Sequence, residues 1–445
     1  MSPLNKIWLN ISIFMNLSNL RSLLCTESTS FSVVFISLSL IIYPATVLLV
    51  PKLNGLIFGL FSLTGLVYLF IHRDQSTRVN RDEAWLYFSV SIFFLTSLLI
   101  VVNAGFVYKV LGKYLHLLLF IPVYIYLRHT GVKLFFVWYG LVTGSIVAAG
   151  VAIYDVWITD SPRYWGNGEI RAMGITHPII FGDLALVMGC MSMAGLGWFK
   201  QRANWLFILP LIALFCGLLA SVFSVSRGGW LAVPFLVVLF FWNIKSLFSF
   251  QQKAILAVVV ALFLGLIYLL PQTGVSKQVD RTFTSLQQYS DSEITSNNRA
   301  TSVGTRLEMW QASWKIFQDN PVLGIGWGHY KEQAQLQVDQ GLRNQIAASF
   351  GHPHSQYFSA LVGGGSLGFV ILMMLFFIPV RLFVKYINHG ETVDIKRLAL
   401  AGLVLIVAYM AFCISEPMLE RSRSVNFFSF YLAVFMAAIY GQKKS

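Results

Sequence analysis

The chain has 445 residues, 56% of them hydrophobic and 11% charged, with a mean hydropathy of +0.68. Soluble globular proteins carry about 25% charged residues, so the composition excludes a soluble domain on a single anchor and points to a polytopic membrane protein. The net charge of +13 has to be sorted by membrane side before it says anything about a partner, and it does not by itself indicate nucleic acid.

The first thirty residues lack a signal-peptide plan, because Asn10 and Ser12 interrupt the apolar stretch from Ile7 to Met15; they read as a retained amphipathic lead-in. A membrane-crossing helix needs about 20 mostly apolar residues. Twelve runs qualify, near 32–50, 54–71, 84–102, 107–127, 132–154, 179–198, 204–222, 229–244, 254–270, 358–380, 398–415 and 425–441. The expected fold class is all-α: about twelve transmembrane helices and one large, partly helical loop. Residues 1–270 form an N-terminal membrane region of nine spans, 271–357 the loop, and 358–445 a C-terminal membrane region of three spans. Cys25, Cys190, Cys216 and Cys413 share no close spacing and three lie in apolar runs, which argues against a disulfide framework or a zinc site.

Charge orients the set. With a cytoplasmic N-terminus, the inner loops hold Arg73, Arg78, Arg81, Arg128, Lys133, Lys200, Arg202, Lys245, Lys253, Arg381, Lys385, Lys396 and Arg397. The short outer loops hold only Lys52, Arg163, Arg171, Arg227, Arg421 and Arg423. This positive-inside bias puts both termini in the cytoplasm and the large loop outside. It also isolates Arg171, Arg227, Arg421 and Arg423 on the side where arginine is not favoured by topology. Lys109, Lys113 and His116 share one face near the outer end of the fourth span, where they either snorkel to headgroups or face a cavity or ligand.

In the loop, the polar stretch 273–302 reads as a mobile lid, and its Asp291-Ser292-Glu293 as a solvated charge pair. Thr305-Arg306-Leu307-Glu308 fits a capping box, with Thr305 as N-cap and Arg306 at the first helical position. Leu307, Trp310, Trp314 and Phe317 form one apolar helix face, more suited to packing than to a sugar platform. The helix should stop at Asp319-Asn320-Pro321, followed by a flexible Gly324–Gly328 turn. His352-Pro353-His354 then places two imidazoles where the loop meets an apolar run. A His352/His354 metal pair is possible on spacing but lacks a nearby carboxylate in the sequence. His177-Pro178 reads as the entry to the sixth span.

These segments resemble a known family. His354-Ser355, nine residues and then Gly365-Ser366-Leu367-Gly368 is similar to the signature of O-antigen ligases. Arg306-x-x-x-Trp310 with Asn320-Pro321-x-x-Gly324-x-Gly326 resembles the shared loop region of the O-antigen ligase and polymerase superfamily, and Ser224-x-Ser226-Arg227-Gly228 its Ser-Arg-Gly loop. The likeness is topological over the whole chain and motif-level over about 227–368.

The resemblance implies a GT-C-like membrane glycosyltransferase. It would move O-antigen glycan from undecaprenyl pyrophosphate to lipid A–core oligosaccharide, on the periplasmic face of a Gram-negative inner membrane, with no metal ion or other cofactor. It carries over His354, Arg227 and Arg306 as catalytic residues and, more loosely, Arg171 as a substrate-binding one. The chemistry fits those residue types. A sugar hydroxyl needs a general base, for which His354 is the candidate. A departing pyrophosphate needs fixed positive charge, which arginine forks supply. Lys109, Lys113, His352, Arg421 and Arg423 complete the candidate substrate-binding set, although Arg421 and Arg423 could equally neutralise Glu416 and Glu420 or bind anionic membrane lipid. The expected reaction is a direct, inverting displacement, with Gly363–Gly368 leaving room for a lipid or sugar. Alternatives are an oligosaccharyltransferase acting on pilin, an O-antigen polymerase, and a transporter of a lipid-linked anion.

Overall fold

With no water in a bilayer core, an apolar run satisfies its backbone by folding as a helix, and each run named above contains one. The computed structural model describes residues 31–71, 79–105, 108–160, 164–165, 169–241, 249–269, 280, 283–284, 287, 289 and 301–444. The lead-in 1–30, most of the polar stretch 273–302 and the side chains of Lys109 and Arg227 lie outside the described residues.

In chain order the helices are α1 (Phe31–Thr46), α2 (Leu53–Ile71), α3 (Arg81–Ala104), α4 (Tyr108–Leu118), α5 (Phe120–Thr130), α6 (Leu134–Ile153), α7 (Pro178–Met193), α8 (Leu196–Arg202), α9 (Ile208–Phe223), α10 (Arg227–Trp230), α11 (Ala232–Phe241), α12 (Phe250–Leu269), α13 (Ser302–Asp319), α14 (Tyr330–Asp339), α15 (Gln356–His389), α16 (Val393–Ser415) and α17 (Ser422–Lys444). A two-residue antiparallel pair, β1 (Tyr164–Trp165) with β2 (Glu169–Ile170), precedes Arg171. The protein is an all-helical, polytopic membrane protein. Among the described residues eight helices are long and apolar enough to cross a membrane, or nine if α7 and α8, bent by 51° at their junction, count as one span. Among the described residues the expected twelve are not confirmed: α1 has 16 residues with Pro44 inside it, the apolar helix Gly228–Phe241 is likewise short of the roughly 20 residues a span requires, and α12 is not among the eight.

α16 and α17 are the most deeply buried of the eight candidate spans. α7 and α9 pack with small residues facing: a Cβ on Gly189 would lie 2.7 Å from the Ala213 carbonyl, and one on Gly217 2.5 Å from that of Ala185. One end of the bundle is fastened by paired charges. Arg128 meets the buried Glu83 at 3.0 Å, Lys385 meets Asp82 at 2.8 Å, and Arg397 meets Asp394 at 2.8 Å. Asp82 and Glu83 begin α3, whose far end at Ala104 touches Gly326 of the loop region.

The loop region docks through a break in α15. Gly365 sits at φ 60° and ψ −153°, and the helix ladder opens around it. Segment 321–326 fills the opening: Ser366 and Leu367 donate to the carbonyls of Pro321 and Val322 at 2.8 and 3.2 Å, while Ile325 and Gly326 donate to those of Val362 and Gly363 at 2.9 and 3.1 Å. The Trp327 ring covers Gly363. This corrects the expectation for Gly363–Gly368, because the space those glycines leave is taken by the chain's own backbone and indole. The capping box is also corrected. α13 starts at Ser302 with Thr301 as N-cap, its hydroxyl accepting from Gly304 N–H at 3.0 Å, so Arg306 lies in the second turn. Glu308 is instead fully buried, accepting from the Tyr289 hydroxyl at 2.9 Å and the Asn344 N–H at 3.3 Å. The packing reading of the tryptophan face holds for Trp310, which stacks on Phe358 and donates to the Pro353 carbonyl at 3.1 Å.

Candidate active site

Three loops at the α15 and α17 end of the bundle bring the motif residues together. The first carries His354. Its backbone is left-handed, with φ 48°, a conformation uncommon outside glycine. Trp310 pins the preceding Pro353 from one side. From the other, His354 Nδ1 lies 3.0 Å from Oε2 of Glu416, on the short link between α16 and α17. Glu416 is fully buried, and its other oxygen accepts from Arg421 Nε and Nη2 at 3.0 and 2.8 Å. Burial works to raise this carboxyl, but the His354 hydrogen bond and the charges of Arg421, His354 and His352 outweigh it and hold it at about 2. An ionised Glu416 only accepts, so His354 Nδ1 carries a proton, and in the neutral ring Nε2 is the nitrogen with the lone pair. Phe350 meets the His354 ring edge-on at 4.8 Å.

His352 faces a donor at each nitrogen: the His354 N–H at 3.3 Å from Nδ1, and Arg421 Nη2 at 3.2 Å from Nε2. A neutral imidazole must carry one proton, so only one of these is a hydrogen bond. Burial pushes His352 down to about 4, against the pull of Glu416, and the charges of His354, Arg421 and Lys113 add to the push. His177, N-cap of α7, accepts from Ile179 N–H at 3.3 Å through Nδ1, and burial likewise lowers it to about 4. Over the window from about 6.5 to about 4 the unfolded chain therefore takes up protons at both positions that the folded protein refuses. Thermal stability in detergent is expected to fall as pH drops through that window, and further below 4.5 as Glu416 approaches protonation; a His352→Gln variant should show a shallower fall.

The second loop carries Arg171. It is shaped by Asp155, whose buried Oδ2 accepts from the N–H groups of Met173 and Gly174 at 2.9 and 2.7 Å. Ala172 N–H donates to the Phe223 carbonyl at 2.8 Å, and Arg423 donates to the Ile175 carbonyl at 3.2 Å. Arg423 thus serves this loop as a strut. Asp155→Ala leaves two buried donors unsatisfied and is expected to cost about 2–4 kcal/mol. Thermal melting, together with faster exchange of the Met173 and Gly174 amides, checks it.

The third loop is Ser224–Gly229, with Arg227 opening α10. Val225 is left-handed at φ 54°, an outlier for a β-branched residue. Such strain concentrates where the surroundings over-determine it, functional sites above all.

Arg306 approaches the same cluster from α13. Its guanidinium is within electrostatic reach of Glu416 and Arg171, and its Nε is buried with no partner among the described residues. Lys113 is within reach of His352 and Glu420. His116 instead packs edge-on against Phe58 inside the bundle. The structure therefore gathers His354, His352, Arg171, Arg306, Arg421 and Lys113, and turns Arg423 to the loop backbone.

Glu416 is the neighbour of His354 that the sequence did not reveal, whereas His177 caps α7, as its place before Pro178 led one to expect. Glu416 lies 62 residues from His354, and only an acid on an outer loop facing unexplained arginines hinted at it. Glu416 also supplies, from 62 residues away, the carboxylate that the sequence does not place near the histidine pair: His352, His354 and Glu416 each offer a ligand atom within 4.8 Å of the others. Arg421 already bonds Glu416 and faces His352 there, so the positive charge such a trio would bind is supplied by a guanidinium.

A bowl of fixed cations around one histidine with a free Nε2 can bind a polyanion and remove a proton beside it. An uncharacterized protein of Haemophilus influenzae is similar to the chain at 25% identity over 399 residues, spanning 89% of this chain and 96% of the relative. Residues 212–373, which run from α9 through the Ser-Arg-Gly turn, the loop region and the His354 motif into α15, match the O-antigen ligase family (Wzy_C). The match takes in the Ser-Arg-Gly turn and the His354 motif and is consistent with the O-antigen ligase and polymerase superfamily.

Proposed function

We propose that the protein is a GT-C-like O-antigen ligase, which transfers glycan from undecaprenyl pyrophosphate to lipid A–core oligosaccharide at the periplasmic face of the inner membrane, with both termini in the cytoplasm. The observation that carries this reading is the His354–Glu416–Arg421 relay, with Arg306 and Arg171 within electrostatic reach of it. His354 Nε2 removes the acceptor hydroxyl proton as that oxygen attacks the anomeric carbon. The bond to the pyrophosphate oxygen breaks from the opposite face, which inverts the centre. The leaving group departs as an anion held by Arg227, Arg306 and Arg171, and Glu416 steadies the imidazolium that forms. Lys113 and Arg421 extend the positive surface, and Lys109 lies on the same helix as Lys113.

Reconstitution in vesicles with an undecaprenyl-pyrophosphate glycan and rough lipopolysaccharide tests this. Glycosylated lipopolysaccharide is expected, at a rate unchanged by EDTA because guanidinium groups supply the charge. Glycan joined to pilin, or to a second donor as in a polymerase, would overturn the choice of acceptor. Movement of the donor across the bilayer without glycan transfer would overturn the enzyme reading, and loss of activity in EDTA the metal-free one.

A further inference from the structure

Asp183 is an ionisable residue inside a membrane-spanning helix, and nothing derived so far uses it. It lies in the second turn of α7 and is fully buried. An acid at such depth normally has a partner or a task. Its surroundings are the turn that carries Arg227. Oδ1 is 3.5 Å from the Ser226 hydroxyl, and a Cβ on Gly229 would fall 2.4 Å from that same oxygen. The Ser226 N–H donates to the Ser224 hydroxyl at 3.2 Å, which donates on to the Ser221 carbonyl at 2.6 Å. Asp183 Oδ2 and the Ser221 hydroxyl are buried with no partner among the described residues.

The other side of the turn is equally close. A Cβ on Gly228 would fall 2.1 Å from the hydroxyl of Ser415, the residue before Glu416. The turn is thus wedged between the Asp183 carboxyl and the end of α16, and Gly228-Gly229 is the only kind of sequence that fits so tight a gap. In the other two loops an acid does comparable work: Asp155 accepts from the backbone behind Arg171, and Glu416 orients His354.

We propose that Asp183 is a positioning residue for Arg227: its carboxyl group, set between Ser226 and the Gly229 backbone, fixes the height and angle at which the Ser224–Gly229 turn presents Arg227 to the anionic donor. This deepens the proposed function and rests on its assignment of Arg227 to the pyrophosphate. Shape and hydrogen bonding carry the role, so Asn should replace Asp183 and Ala should not.

The test is a double-mutant cycle on the full-length protein in nanodiscs, read by binding of undecaprenyl pyrophosphate and, separately, by donor and acceptor KM in ligation. Asp183→Ala is expected to weaken binding and raise the donor KM about tenfold, in the range of couplings between contacting residues, with the acceptor KM unchanged. Asp183→Asn should recover most of the loss. Combined with Arg227→Ala, Asp183→Ala should add no further loss. Should Asp183→Ala fail to fold, Ser226→Ala, which removes the facing hydroxyl, takes its place in the cycle with the same expectation. Additive losses in the cycle would overturn the proposal, as would Asp183→Asn as defective as Asp183→Ala. Arg227→Ala binding as tightly as the unaltered protein would overturn the assignment of Arg227 itself, a failure distinct from that of Asp183.

Discussion

Replacing His354 by alanine is expected to lower glycan transfer by about 10²–10⁴-fold, the range associated with loss of a positioned general base, while undecaprenyl-pyrophosphate binding stays within about threefold of its starting value. The split follows from the geometry. In the proposed reaction the donor's charge is met by guanidinium groups of the other loops and α13, whereas the lone pair that takes the acceptor proton is at His354 alone among the residues of the relay. Glu416→Gln should reproduce part of this loss. A carboxamide can still accept from Nδ1–H, but it carries no charge to stabilise the imidazolium or to answer Arg421. Removing one partner of a buried charge pair typically costs about 3–5 kcal/mol, so this variant should also melt earlier, and His354→Ala should not match it in that respect. Single-turnover ligation alongside direct donor binding separates the two quantities. Equal loss of binding and transfer in His354→Ala would sink its assignment as base.

The largest effect on the fold is expected at Gly365. Its φ of 60° with ψ of −153° lies in a region that only glycine populates readily, and a Cβ there would stand 2.4 Å from both the carbonyl carbon and oxygen of Val322. Gly365→Ala therefore has two costs. The backbone is strained, by about 1–3 kcal/mol, and the 321–326 segment is pushed out of the break, with its four backbone hydrogen bonds to α15 lost or lengthened. Gly324, at φ 64° and with the Val362 carbonyl 2.3 Å from where its Cβ would be, should behave alike. Either substitution is expected to yield protein that inserts in the membrane but fails to dock the loop region. Proteolysis of α13–α14 in intact spheroplasts, or loss of the monodisperse peak in gel filtration, would show it. A Gly365→Ala protein as stable as its parent would mean that the break is not needed.

Much of this architecture was legible in the residues, for identifiable reasons. Hydropathy reports what a bilayer demands of the backbone, so helices were found wherever apolar runs lay. It does not report how far each helix reaches, and Pro44 and the short α11 leave a count based on composition unconfirmed. The arginines stood out because topology does not favour them where they sit. The Thr305 capping box was misread because a local pattern competed with a long-range one: Glu308 is occupied by Tyr289 and the Asn344 backbone, so Thr301 caps the helix. Glu416 and Asp155 were hidden for the opposite reason. The pairing of Glu416 with Arg421 was legible, but His354 lies 62 residues from Glu416, and the Met173 and Gly174 amides 18 and 19 from Asp155, so no spacing betrays those tasks. The glycine run was seen, but not its occupant, since nothing in Gly363–Gly368 specifies that Trp327 and the Pro321 segment come to fill it.

The left-handed backbones of Val225 and His354 have a bearing on how such a protein could be made more robust. Each holds a non-glycine residue where the chain would relax if released, at a cost of about 1–3 kcal/mol. A selection for heat resistance acting on stability alone should therefore return to these two positions, favouring asparagine or glycine at Val225 first. The winners are expected to be the slower catalysts, because the turn that relaxes is the one presenting Arg227. Natural sequences that must survive hot or detergent-rich surroundings while keeping the activity would have to gain their margin elsewhere, for instance among the paired charges at the opposite end of the bundle.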